Sequence, residues 1–177
     1  MKKAVLVIDM QLGVFMRKEY DGMAVYQEEQ LLEKVAGLLD RARKADVPVI
    51  YIQHMYKDFP IMEKGQPMWN VHPAIAPQEG ETTIEKWHAD AFYESNLADT
   101  LNHLGVDTLI ITGIQTAYCI DTTCRRAHSK GYNCILVADG HSTLDSDILT
   151  AEKIIAHHNE VLGSQFATVN KASEVVF

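Results

Sequence analysis

A chain of 177 residues, 47% hydrophobic and 23% charged, has the size and composition of one globular domain spanning 1–177. Its net charge of −8 excludes the basic surface that a nucleic-acid partner needs. No stretch approaches the roughly 20 apolar residues of a membrane span, and the first apolar run stops at Asp9 after five residues, too short for a secretory signal.

The first element, KAVLVID over 3–9, is a nearly continuous apolar run that ends on a carboxylate. Strands buried on both faces read this way, and they belong to parallel sheets covered by helices. Leu31, Leu32, Val35, Leu38, Leu39 and Ala42 recur at helical spacing and predict a helix over 25–44. Asp46-Val47-Pro48 ends it, and VIYIQ over 49–53 predicts a second buried strand. Residues 54–80 hold four of the five prolines and show no periodicity, which marks a long, functional irregular segment. TTIEK over 82–86 is a short strand. Ser95 then caps a helix that reaches about Leu104, with Leu97, Leu101 and Leu104 on one face.

A buried strand over 107–113 leads into a helix over 116–129. A further strand (133–139), a helix (150–162) and a closing apolar segment (166–169) complete the series. Alternating strands and helices imply right-handed crossovers and an α/β, three-layer, doubly wound sheet of mainly parallel strands with helices on both faces.

In such sheets ligands bind beyond the carboxyl ends of the strands, where strand order reverses. Asp9, Gln53–His54, Lys86, Gly113 to Cys119 and Asp139 to Thr143 all end buried runs. Cys119 falls in the first turn of the helix after Gly113, and there the positive helix end and a nearby Lys86 ammonium would lower the thiol pKa. Asp9 could accept the thiol proton and return it to a leaving amine. Backbone N–H groups of Gln115 and Cys119 could hold an oxyanion. Spacing alone leaves plainer readings open: a buried structural cysteine, an aspartate in a turn, a solvated lysine. Cys124, five residues on, points elsewhere on the helix and with Cys134 reads as structural. Three cysteines without a CxxC pair suit a reduced, cytoplasmic protein.

Four stretches carry a resemblance: VLVIDMQLGVF (5–15), VHPAIAPQEGETTIEKWHADAF (71–92), LIITGIQTAYCIDTTCRRA (109–127) and VADGHST (137–143). With D-x-Q, K-x-x-x-x-A-F and G-I-x-T-x-x-C in that order, the chain resembles the isochorismatase-like cysteine hydrolases, which include nicotinamidases and N-carbamoylsarcosine amidohydrolases. The resemblance places a catalytic aspartate at Asp9, a lysine at Lys86 and a cysteine nucleophile at Cys119, with an oxyanion hole at Gln115 and Cys119. It also implies a cis peptide at Ile114–Gln115, six strands, and a homo-oligomer, dimer or larger.

Departures narrow the activity. Metal-binding nicotinamidases carry Asp-x-His and a further histidine after the second strand, whereas this chain reads Gln53-His54-Met55-Tyr56-Lys57-Asp58. No metal or other cofactor is therefore expected, and His54, His72 and His88 read as scattered. Isochorismatases proper lack the cysteine, so Cys119 points instead to hydrolysis of a small-molecule amide or related C–N bond. The family's aromatic after D-x-Q falls on Val14, with Phe15 one place late. Phe15, Gln53, Trp69 and Tyr118 are expected to contact substrate, with Trp87 and Thr143 as further candidates. The competing classes are a catalytically idle metabolite- or partner-binding domain, a redox-sensing thiol and a metal-dependent nicotinamidase.

Overall fold

The computed structural model describes residues 1–57 and 59–177. Six strands form one parallel sheet: β1 (Lys3–Ile8), β2 (Val49–His54), β3 (Thr82–Lys86), β4 (Thr108–Ile114), β5 (Asn133–Ser142) and β6 (Thr168–Asn170), in the spatial order β3-β2-β1-β4-β5-β6. The chain builds outward from β1 to β3, then crosses back to lay β4 on the other side of β1. Strand order thus reverses between β1 and β4, which opens a crevice beyond their carboxyl ends.

The helices are α1 (Leu12–Phe15), α2 (Arg17–Tyr20), α3 (Glu28–Lys44), α4 (Leu97–Leu104), α5 (Asp121–Ser129) and α6 (Ala151–Gln165). Side chains alternate along a strand, so β1 feeds two cores. Val5 and Val7 pack beneath α3 and the irregular segment, with Leu31, Val35, Leu38, Met62 and Ile75. Ala4, Leu6 and Ile8 face the opposite layer, with Leu97, Leu101, Cys124, Ala127 and Leu162 from α4, α5 and α6. Both faces of β1 are dry, which is why it reads as an unbroken apolar run.

The irregular segment carries three 3₁₀ turns, each opened by a proline at its first position: Pro60–Met62, Pro67–Trp69 and Pro73–Ile75. Proline suits that position because the first helical N–H has no internal partner. No helix among the described residues is long and apolar enough to cross a membrane.

Several boundaries differ from the periodicity, each for a local reason. The helix predicted from residue 25 starts at Glu28, because Gln27 takes a left-handed conformation (φ 48°). The α4 helix starts at Leu97 after Asn96, although Ser95 Oγ still accepts its first N–H at 3.3 Å. The strand expected to stop at residue 139 runs to Ser142 through a bulge. Ile111 faces Leu136 while Gly113 faces His141, and Gly140 sits in the bulge where a Cβ would come 2.6 Å from Val137 Cγ1. At Gly113 (φ 133°) a Cβ would lie 2.1 Å from the Ile8 carbonyl oxygen. Only glycine lets β4 approach β1 so closely at the crevice.

Candidate active site

Asp9 follows the last residue of β1, Lys86 ends β3, and Cys119 follows β4. Asp9 adopts φ 54°, a left-handed conformation that aspartate tolerates better than most residues. It turns the chain out of the strand while its N–H still donates to the Ile52 carbonyl at 2.9 Å. Cys119 is not in an α-turn as expected: residues Thr116–Ile120 form a π turn that precedes α5. Such turns widen the helix and recur at functional sites. The Ile114–Gln115 peptide just before it is cis.

These side chains meet. Lys86, completely buried, donates from Nζ to Asp9 Oδ2 at 2.6 Å and to the His88 backbone oxygen at 3.0 Å, and lies 3.3 Å from Cys119 Sγ. His54 Nδ1 stands 3.1 Å from the same ammonium. An ammonium cannot accept a hydrogen bond, so Nδ1 accepts and the ring proton sits on Nε2. The second carboxylate oxygen, Asp9 Oδ1, is buried without a hydrogen-bond partner, which leaves an acceptor open for a proton.

Burial works to lower the Lys86 pKa, but the Asp9 carboxylate and the Cys119 sulfur outweigh it and the net shift is upward. Burial, and then the Asp9 charge, push the Cys119 thiol up to about 12. That reverses the lowered value expected from a helix terminus and Lys86, because burial, joined by the carboxylate, outweighs the ammonium at sulfur. Cys119 therefore rests as a thiol beside a carboxylate. Burial, with help from Lys86, holds His54 below its ordinary value, so it is neutral at pH 7.

Asp9, His54 and Cys119 open onto a cavity of about 390 Å³ including its mouth, lined also by Val14, Tyr56 and Gln115, while Lys86 is buried and does not line it. Tyr118 stands at the mouth, 62% exposed.

Comparison with known proteins places the chain in a family. The model of the isochorismatase domain matches residues 3–161. The chain belongs to the isochorismatase family. This isochorismatase-family hydrolase is 30% identical to the family protein YddQ of Bacillus subtilis, over 96% of each chain. It is also 30% identical to a maleamate amidohydrolase of Pseudomonas putida, over 78% of this chain and 71% of that one. Among solved structures, an isochorismatase hydrolase from Oleispira antarctica superposes with a TM-score of 0.90 at 29% identity, covering 98% of this chain and 95% of the other.

Within this isochorismatase-family site, the remaining expected residues divide. Tyr118 reaches the cavity, but Phe15, Gln53 and Trp69 do not line it. Phe15 is buried against the His72 ring, 5.1 Å between centroids, and its neighbour Val14 lines the cavity. Gln53 Nε2 donates to the Trp69 carbonyl at 2.9 Å, and Trp69 Nε1 donates to the His54 carbonyl at 3.2 Å. Both tie the irregular segment to the end of β2. Gln11 of the D-x-Q motif does the same: its Oε1 accepts from His54 N–H at 2.8 Å, and its Nε2 donates to the His54 and Trp69 carbonyls. Trp87 is exposed under the Lys57 ammonium. Thr143 donates to Gln115 Oε1 at 3.3 Å.

The three histidines do not converge. His72 Nδ1 accepts from the Ala74 N–H and His88 pairs with Glu94 at the surface, so only His54 reaches the site. Asp58, the last residue of the segment compared with the metal motif, lies outside the described residues. Asp9, His54 and Cys119 do bring potential ligand atoms within 4.8 Å of one another. All three, however, converge on the Lys86 ammonium. A divalent cation held there would stand against a buried like charge, so these residues do not fit a metal.

Tyr56 was missed by periodicity because it sits in the aperiodic segment. His141 falls in the 139–143 stretch at the end of a predicted strand, but its spacing assigned it no role. His141 is buried behind the Thr116–Ile120 turn, with Nδ1 2.8 Å from Thr116 Oγ1 and Nε2 2.9 Å from Asn159 Oδ1. Burial, above all, depresses its pKa to about 4 from 6.5. Between those values the unfolded chain binds the proton and the folded one does not, so stability falls as pH drops from about 6.5 to 4. The full loss is roughly 3 kcal/mol. Urea midpoints at pH 7.5 and 4.5 should separate more in the wild type than in His141→Gln, and equal separations would contradict this account.

Proposed function

We propose that the protein hydrolyses a small amide or related C–N bond through an acyl-enzyme on Cys119, with no cofactor. The observation that carries this reading is the buried Lys86 ammonium held between the Asp9 carboxylate (2.6 Å) and the Cys119 sulfur (3.3 Å), both of which line a cavity. The relative that acts on maleamate, an amide, supports the same substrate class.

As Cys119 Sγ attacks the substrate carbonyl carbon, its proton passes to Asp9. The backbone N–H groups of Gln115 and Cys119 hold the resulting oxyanion. Asp9 then delivers the proton to the departing nitrogen as the C–N bond breaks, leaving a thioester and a free amine or ammonia. Water gives a proton to Asp9 and adds to the thioester. Collapse releases the carboxylic acid and returns the proton to sulfur. Lys86 stabilises the carboxylate form to which Asp9 returns after each transfer, and the negative charge that develops on sulfur.

Residues 1–177 act in this reading as one domain, in the cytoplasm, as a homo-oligomer. Three free cysteines support a reducing compartment, and an exposed Tyr118 beside the nucleophile supports a covering subunit.

The test is a panel of small amides, ureides and carbamoyl compounds, followed by ammonia release with and without hydroxylamine. An acyl thioester partitions to the hydroxamate, so hydroxamate should appear at the expense of acid. Ammonia release with no hydroxamate, unaffected by prior alkylation of Cys119, would rule out the covalent route.

A further inference from the structure

The cavity above Cys119 does not end at its own walls. Val14, Tyr56 and Gln115 also line a second and larger cavity, of about 860 Å³ including its mouth, whose far side is formed by Tyr20, Phe59 and Met62. They adjoin across these three side chains as a two-part cleft. Its wall is a run of rings leading away from the catalytic lysine: His54 to Tyr56 at 4.8 Å, Tyr56 to Phe59 at 6.3 Å, and Phe59 to Tyr20 at 5.8 Å between centroids. Val14 and Met62 complete it and are buried.

We infer that the scissile amide carries an uncharged apolar group of about aromatic-ring size, and that this group seats against Val14, Tyr56, Phe59 and Met62. The inference rests on the hydrolase reading above and names its substrate class. Charge decides the point. Among the described residues lining the cleft, Arg17 and Asp21 are paired with each other at 2.7 Å, and Asp9 is paired with Lys86. An anionic or cationic substituent would lose its water and meet no free counter-charge among the described residues. An apolar group instead gains about 25 cal/mol for each Å² it removes from water. Size agrees, since the two spaces, about 390 and 860 Å³ with their mouths, leave room for a substituent beyond the amide itself. The occupant is substrate because the cleft shares its walls with the nucleophile's own cavity.

Alkylation of Cys119 reads this preference without any turnover. Rate constants for iodoacetamide, iodoacetanilide and iodoacetate are measured on the full chain at pH 9, mapped to Cys119 by mass spectrometry, and each divided by its rate with glutathione. Iodoacetanilide should exceed iodoacetamide at least tenfold, with iodoacetate the slowest. Val14→Phe, which narrows the throat, should reduce the anilide advantage to about twofold. Parity of the two amides in the wild type, or iodoacetate reacting fastest, overturns the inference whether or not the variant folds. The hydrolase reading is judged separately, by wild-type turnover of phenylacetamide, acetamide and maleamate. Phenylacetamide leading supports both claims, and maleamate leading keeps the hydrolase but overturns the apolar substrate. An anilide preference with no amide hydrolysed supports the apolar cleft and removes the hydrolase reading.

Discussion

Cys119→Ala is expected to lower turnover of any amide the wild type hydrolyses by on the order of a millionfold, the loss seen when a nucleophile that works in concert with its base is removed. Stability should hardly move: the side chain is half-buried, and the change is within about 1 kcal/mol by urea unfolding. The contrast between the two measurements is the point. A cysteine that merely walled the cavity would give up less than tenfold when truncated, because Asp9 and the oxyanion donors would be left in place. Retained activity within tenfold would mean that water attacks directly, with Asp9 as its base, and that the acyl-enzyme does not exist.

The sheet was legible because its central strands β1, β2 and β4 are buried on both faces. Continuous apolar runs at β1, β2, β4 and β5 leave helix or loop readings little room, and their polar end residues fall where strand order reverses. That rule brought Asp9, Lys86 and Cys119 under inspection, and the family motifs tied them together. The π turn was not legible, since one extra residue in a turn leaves no compositional trace. Nor was the bulge in β5, although Gly140 marks it. The substrate wall was the poorest reading. Phe15, Gln53 and Trp69 were reasonable as aromatic and amide groups near strand ends. Their direction, however, depends on how three proline-led turns fold back on β2, and no periodicity records that. The same turns bring Tyr56, Phe59 and Met62 to the cleft.

The resting state of the thiol was also misjudged from sequence, and that error has a measurable consequence. Lys86→Met and Asp9→Asn should both abolish useful hydrolysis, by roughly a thousand- to ten-thousandfold, yet they should move Cys119 in opposite directions. In the wild type, burial and then Asp9 hold the thiol up at about 12, while Lys86 pulls it down. Asp9→Asn removes the charge that opposes ionisation and leaves the ammonium 3.3 Å from sulfur. The thiolate fraction at pH 8 rises tenfold for each unit the pKa falls, so iodoacetamide should label this inactive variant at least tenfold faster than the active wild type. Lys86→Met does the reverse: the carboxylate stands alone beside the sulfur and labelling slows.

Stability separates the two roles further. Lys86→Met strands a buried carboxylate and should cost about 3–5 kcal/mol, whereas the double variant Asp9→Asn/Lys86→Met, which leaves no charge unpaired, should recover much of that loss. Alkylation that slows in both single variants would show that Asp9 does not hold the thiol proton at rest, and the proton path through Asp9 would fall with it.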